Sequence, residues 1–214
     1  MQNRFQHVQN IIFDMDGTLI QTALATISAC QETAQAQNLP IPSAEAVTRA
    51  IGYSGLDFYK QFLPTLEGSM LEQYAQATDT RESAVIRTIG AGMLYDGALA
   101  LLETLSNAGY DLTIASTGST DHVETALINA GIRHFFRMIQ CNSADKATMV
   151  KAIMQGGTDG EWLIIGDRLS DCNAGRANSI LTVAARYGYG NDAEYAQFDA
   201  GVDSAQGLLA LLTI

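Results

Sequence analysis

Two carboxylates stand two residues apart in Ile11-Ile12-Phe13-Asp14-Met15-Asp16-Gly17-Thr18-Leu19, where an apolar run gives way to a glycine turn. Such a pair suits phosphoryl transfer. One aspartate attacks phosphorus and becomes an aspartyl phosphate, while the other protonates the leaving oxygen and then activates water. Gly17 permits a sharp turn beside them. An ordinary strand ending in a polar Asp-Gly turn has the same local sequence, so the rest of the chain has to discriminate.

Three further clusters supply what that chemistry still lacks. Ala115-Ser116-Thr117-Gly118-Ser119-Thr120 offers hydroxyls and helix N-terminal amides suited to gripping a phosphoryl group, with Ser119 equally suited to capping a helix. Lys146, in Ser143-Ala144-Asp145-Lys146-Ala147, stands at a predicted helix start, the end that ordinarily disfavours a cation. That mismatch points to an anionic partner, whereas Lys151 reads as a solvated surface residue. In Ile164-Ile165-Gly166-Asp167-Arg168-Leu169-Ser170-Asp171 an apolar strand runs into two carboxylates four residues apart. Asp167 at the strand end and Asp171 in the first helical turn suit a hard cation bound through oxygen, and Asp171 also suits a helix cap.

The elements that must position these groups follow from hydrophobic period. Residues 8–13 read as a short buried strand. Helical spacing follows over 22–38 and 43–51, with a break and N-cap at Leu39-Pro40-Ile41-Pro42-Ser43, and helix continues to about residue 89. After Tyr95-Asp96-Gly97 the pattern alternates. Strands are predicted at 112–115, 136–139, 162–165 and 180–185, and helices up to 108, then near 119–131, 145–155, 170–178 and 204–212. The fold class is therefore α/β, a parallel sheet covered by helices on both faces, whose ligand crevice lies at the carboxyl ends of the strands. All four clusters go to that one edge, a convergence that independent turns and caps do not predict.

With 214 residues, 47% hydrophobic and 16% charged, the chain has the composition of a folded globular protein. A net charge of -11 argues against nucleic-acid or anionic-membrane partners. It also repels a phosphorylated substrate, so the site must reverse the sign locally with a metal ion, a basic side chain or backbone N–H groups. Cys30, Cys141 and Cys172 match neither a disulfide framework nor a metal-ligand spacing. The polar start of the chain carries no apolar run of signal-peptide length, and the expected location is cytoplasmic. His7, His122 and His134 share no metal-site spacing and read as satisfied or surface histidines.

With these motifs in order, the chain resembles the haloacid dehalogenase-like hydrolase superfamily: Asp14 to Leu19 fits its first motif, Ser116 the second, Lys146 the third, and Gly166-Asp167 with Asp171 the fourth. The resemblance implies a Rossmann-like core, residues 1–20 and 93–214, and an inserted helical cap, residues 21–92. It implies Asp14 as nucleophile and Asp16 as general acid/base, with Mg²⁺ held by Asp14, Asp167 and the backbone carbonyl of Asp16. Asp171 completes the acidic site, Ser116 bonds phosphoryl oxygens, and Lys146 offsets their charge and steadies Asp14. Gly17, Thr18, Thr117 and Gly118 are the expected phosphate and substrate contacts. Asp16 argues against true dehalogenation, since the dehalogenase branch lacks that second aspartate.

The tail Ala185-Arg186-Tyr187-Gly188-Tyr189-Gly190, followed by Asp203-Ser204, is similar to the phosphoglycolate phosphatase-like branch. Three positions depart from it: Gln21-Thr22 replaces a usual Asp-Ser, Asp96 a common Pro and Thr117 a common Asn. In the cap, Arg49 and Gly52-Tyr53-Ser54-Gly55 fall where relatives carry substrate-selecting residues. Arg49 fits either a substrate anion or an exposed helix face, and Tyr53 either substrate or cap packing. The expected activity is a Mg²⁺-dependent phosphatase acting on a small phosphorylated metabolite. A phosphomutase of the beta-phosphoglucomutase type uses the same residues but returns the phosphoryl group to sugar. A signalling module that stores an aspartyl phosphate is the alternative from a different class.

Overall fold

The structure is a computed structural model, and it describes residues 4–213. After β1 (Val8–Phe13) come four helices, α1 (Ala23–Ala36), α2 (Ala44–Ala50), α3 (Leu56–Lys60) and α4 (Gly68–Ile89). Alternation follows with α5 (Ala98–Asn107), β2 (Asp111–Ala115), α6 (Thr120–Asn129), β3 (Met138–Gln140), α7 (Lys146–Gln155), β4 (Glu161–Gly166), α8 (Leu169–Ala177) and β5 (Leu181–Ala185). The last elements are α9 (Asp192–Tyr195), β6 (Ala200–Val202) and α10 (Gly207–Leu212).

The strands form one parallel sheet in the order β3-β2-β1-β4-β5-β6. Strand order reverses between β1 and β4, so the crevice where ligands bind in such sheets opens at their carboxyl ends. Strand alternation accounts for two cores. Ile11, Phe13, Leu163 and Ile165 pack against α5, α6 and α10 through Leu101, Leu105, Val123, Leu127 and Leu208. Ile12, Trp162 and Ile164 face the other way, onto Val150 and Ile153 of α7 and Ala174 of α8. Burial on both faces is why these strands read as continuous apolar runs.

The inserted helices have a core of their own, in which Cys30, Ala34, Val47, Leu71 and Tyr74 pack with Tyr59 and Leu63. The chain enters and leaves this insert side by side. The Gln21 N–H donates to the Met93 carbonyl at 2.7 Å, the Tyr95 N–H donates to the Leu19 carbonyl at 3.0 Å, and Ile20 bridges Leu94. At these two adjacent crossings Leu19, Ile20 and Met93 are buried in the main core, with Leu94 and Tyr95 packed against it.

Most predicted elements lie within a residue or two of the observed ones. The third strand differs: it starts at Met138, because a 3₁₀ turn over Arg133–Phe135 takes up the approach and Phe136 turns into the core. The region predicted as helix through residue 89 is broken between α2 and α3 and again before α4. α9 and β6, four and three residues long, were not anticipated, since neither is long enough to carry a period. Among the described residues no helix is long and apolar enough to cross a membrane.

Candidate active site

The carboxyl ends of four neighbouring strands deliver the four sequence clusters to one place. Asp14 follows β1 directly, its N–H held by the Ile165 carbonyl of β4 at 2.9 Å. Lys146, the first residue of α7, is only 4% exposed, and its Nζ lies 2.5 Å from both Asp14 Oδ1 and Asp171 Oδ1. Burial pulls the Lys146 ammonium toward lower pKa, but Asp14 and Asp171 outweigh it and the net shift is upward. Burial, with the Asp171 and Asp16 charges added and Lys146 opposing, pushes the Asp14 carboxyl up to about 7. Thr18 Oγ1 donates to Asp14 Oδ2 at 3.3 Å.

Asp171 holds two posts at once. While Oδ1 pairs with Lys146, Oδ2 accepts from the Arg168 N–H at 3.0 Å at the N-terminus of α8. The cap and site readings of Asp171 are therefore compatible. A Cβ on Gly166 would lie 2.1 Å from Asp171 Cγ, so only glycine leaves room for that carboxyl group. Asp167 is fully buried; its Oδ2 accepts from the Tyr189 N–H at 2.6 Å. Its Oδ1 has no hydrogen-bond partner among the described residues. Burial first, then the charges of Asp14 and Asp171, raise Asp167 well above the usual carboxylate range.

Asp14, Asp167 and Asp171 each place a carboxylate oxygen within 4.8 Å of the others. An orphaned buried carboxylate oxygen is costly, and hard oxygen donors so arranged fit Mg²⁺. Asp14 and Asp171 have both oxygens engaged, so Asp167 Oδ1 is the carboxylate oxygen of the three left without a partner among the described residues and open to an ion. Gly17, at φ +87°, closes the same corner, where a Cβ would meet Asp167 Oδ2 at 2.2 Å.

The Asp16 carboxylate turns away from this acidic group, so of the four aspartates expected at the metal it has only its backbone oxygen left to contribute. Its Oδ1 accepts from Thr22 Oγ1 and lies 2.9 Å from His122 Nε2, and its Oδ2 accepts from Ser116 Oγ at 3.3 Å. The other ring nitrogen of His122 lies 3.2 Å from Glu82 Oε2, and Glu82 also accepts from Thr26. Burial opposes the charged imidazole, but Asp16 and Glu82 prevail and raise His122 well above its ordinary value. For Asp16, burial pushes up while the His122 charge and its hydrogen bond, with Thr22, hold the carboxyl below its usual range. Of the two readings the sequence allowed for it, satisfied or surface, His122 is the satisfied one, with a partner on each ring nitrogen.

Asp16 lines a cavity of about 210 Å³ between the sheet edge and the inserted helices. Thr117, Gly118 and His122 line its core side, and Tyr53, Phe58 and Asp79 its helical side. Two core residues tie down the loop after α2: Thr117 Oγ1 donates to the Gly52 carbonyl at 3.1 Å, and Arg168 Nη1 to the Ile51 carbonyl at 2.7 Å. Ser116 Oγ accepts from the Gly118 N–H, and Ser119 caps α6 as its type suggested. Arg49 is not brought to the site. Its guanidinium is exposed and pairs with Glu45 one helical turn away, and its place on the outer face of a short helix accounts for that. Lys151 is exposed, as expected.

Sequence reasoning missed His122, Glu82, Thr22 and the Tyr189 amide. No spacing could have found the first two, which lie 40 residues apart on different elements. Tyr189 carried a faint signal in Gly188-Tyr189-Gly190, a glycine-flanked turn just beyond β5.

Comparison with known proteins gives the chain's relatives. The chain is 28% identical over 191 residues to the tyrosine-protein kinase PtkA of Mycobacterium tuberculosis, an alignment covering 85% of this chain but 63% of that protein's length. It is 26% identical over 218 residues to the pyrophosphatase PpaX of Listeria monocytogenes, with 96% of each chain covered. Among solved structures, a haloacid dehalogenase-like family protein of Streptococcus pneumoniae superposes with a TM-score of 0.80 at 25% identity, over 95% of this chain and 97% of that one. The family described as haloacid dehalogenase-like hydrolase matches residues 11–185, which hold every one of the four motifs, and the chain belongs to that family.

Proposed function

We propose that this hydrolase is a Mg²⁺-dependent phosphatase that cleaves a small phosphorylated metabolite through an aspartyl phosphate on Asp14. The observation that carries the reading is the meeting of Asp14, Asp167 and Asp171 within 4.8 Å, with one buried lysine bridging Asp14 and Asp171 and an Asp167 oxygen without a partner among the described residues. Mg²⁺, held by Asp14, Asp167 and the Asp16 backbone oxygen, would supply positive charge against the phosphoryl oxygens. Lys146 and Thr18 fix the two Asp14 oxygens, so the nucleophile is oriented before substrate arrives.

Asp14 attacks phosphorus, the ester bond breaks, and Asp16 gives a proton to the leaving alcohol. His122 keeps a proton beside Asp16, which lets that carboxylate be replenished in the first step and take a proton from water in the second. The amides at the start of α6 offer donors to the phosphoryl oxygens, and Ser116 joins them by turning its one proton from Asp16 Oδ2 to the substrate. Residues 21–92 act as the cap and 93–214 with the chain up to residue 20 as the core, joined where Gln21 and Tyr95 cross. Closure of the cap keeps water from the aspartyl phosphate until the alcohol has left.

The test is release of inorganic phosphate from p-nitrophenyl phosphate and a panel of phosphorylated metabolites, with Mg²⁺ and with a chelator. Steady Mg²⁺-dependent release supports the reading. Sugar phosphate isomerised without phosphate release would make the protein a mutase, and a phosphoprotein that persists for many minutes would make it a signalling module.

A further inference from the structure

The cavity beside Asp16 has a charge pattern that a phosphatase for doubly anionic substrates does not need. It is the space left for the substrate's alcohol part, because Asp16 must reach the leaving oxygen and lines the cavity. Its outer wall combines the rings of Tyr53, Phe58 and Tyr59 with the carboxylates of Asp79 and Glu82. Among the described residues no lysine or arginine lines it. The cation nearest the wall, His122, is already committed between Asp16 and Glu82. Arg49 is exposed and paired with Glu45, and Arg168 is spent on Glu194 and on the loop carbonyls of Arg49 and Ile51.

Asp79 stands at the open side of this wall. Its Oδ1 accepts from the Tyr59 hydroxyl, and its Oδ2 has no protein partner among the described residues. A free carboxylate oxygen in a cavity that aromatic residues also line is a good seat for an alkylammonium group, which gains the ion pair there and the ring quadrupole where it lies over a ring. A second anion placed there would meet the Asp79 carboxylate, with no lysine or arginine on the wall among the described residues to offset it.

We propose that the cavity selects a phosphate monoester whose alcohol carries a cationic amine, seated on Asp79 Oδ2 against Tyr59 and its neighbouring rings, and that it disfavours substrates with a second anionic group. This rests on the phosphatase reading above and departs from two relatives' chemistry: pyrophosphate, named for the Listeria protein, and phosphoglycolate, the substrate of the branch that the tail resembles, each carry a second negative group.

The experiment compares three matched series, ω-aminoalkyl, ω-hydroxyalkyl and ω-carboxyalkyl phosphates of roughly two to six carbons, together with pyrophosphate, using the whole protein with Mg²⁺. p-Nitrophenyl phosphate serves as the control for the phosphatase reading itself. The expected result is that kcat/KM for the best amine exceeds that of its hydroxyl partner by about tenfold and its carboxylate partner by more. In Asp79→Asn the amine-to-hydroxyl ratio should fall to about one, with a thermal melt checking that the variant folds.

Hydrolysis of the control without any preference for the amine, or with the carboxylate or pyrophosphate preferred, would overturn this inference and leave the phosphatase reading standing. An amine preference that survives Asp79→Asn would overturn the assignment to Asp79. No Mg²⁺-dependent turnover of the control or of any series would overturn both. The wild-type series decides the matter even where the variant does not fold.

Discussion

His122 joins two halves of the molecule: its Nε2 lies 2.9 Å from Asp16 Oδ1 on the core, and its Nδ1 lies 3.2 Å from Glu82 Oε2 on α4 of the inserted helices. One imidazolium thus separates two carboxylates that would otherwise face each other with little access to water. Removing it leaves that repulsion uncompensated. His122→Ala is expected to cost about 3 kcal/mol of unfolding free energy. The double variant with Glu82→Gln should cost clearly less than the sum of the two single changes. Urea denaturation of all three proteins checks this; strict additivity would show that the bridge carries no energy.

The two buried ends of the nucleophile's environment make a second case. Asp14→Asn keeps the side chain's size and removes the attacking oxygen, so phosphate release should fall by at least about a thousandfold. Lys146→Ala strips the charge shared by Asp14 and Asp171 and should lower kcat by at least about a hundredfold. Lys151→Ala, five positions along the same helix and exposed, should leave turnover within about twofold. Steady-state kinetics on p-nitrophenyl phosphate distinguishes them, and equal losses for the two lysine variants would refute the assignment of Lys146.

pH and metal act on the same carboxylates. In the folded metal-free protein Asp14 titrates near 7 rather than at its ordinary 3.8, and Asp167 is raised as well. The folded state therefore binds more protons than the unfolded one across that window, so the stabilisation is full at low pH and is lost as pH rises from about 4 through 7. His122, also raised, adds loss of the same sign only above its ordinary 6.5. Asp16 is lowered, so its contribution is lost only as pH falls through the acid range. Mg²⁺ competes with protons for the ionised carboxylates, and saturating Mg²⁺ should raise Tm more at about pH 8 than at about pH 5. A calorimetric series at both pH values, with and without the ion, reads the difference; an equal rise would place the ion elsewhere.

Gly166 offers a purely steric test. Its backbone needs no left-handed conformation, yet an added methyl would fall 2.1 Å from Asp171 Cγ. Gly166→Ala should displace Asp171 from both Lys146 and the α8 cap, costing about 2 kcal/mol and most of the activity. Denaturation and kinetics measured on one preparation should show both losses together. Full activity would mean that Asp171 is dispensable for holding Lys146.

Much of the fold and the acidic site was legible along the chain, for a reason visible in particular residues. Ile11 to Phe13 and Leu163 to Ile165 are buried on both sheet faces, so they read as apolar runs, and a charge at the end of such a run, Asp14 or Asp167, stands out against it. Lys146 stood out because it occupies the wrong end of a helix. Local patterns of this kind survive in sequence because strand and helix periods are local. β6 and α9 fell below the length at which a period registers.

What the sequence determined by itself, then, is the set of strand ends and the chemistry each carries. The tertiary structure decided who meets whom. Packing α4 against α6 brought Glu82 and His122 to Asp16, Arg49 stayed outside paired with Glu45, and Asp79 came to the Tyr59 hydroxyl on the wall of the cavity beside Asp16. These encounters join segments with no fixed separation along the chain, and a side chain's partner across such a gap is set by the packing of whole elements, to which no local pattern corresponds.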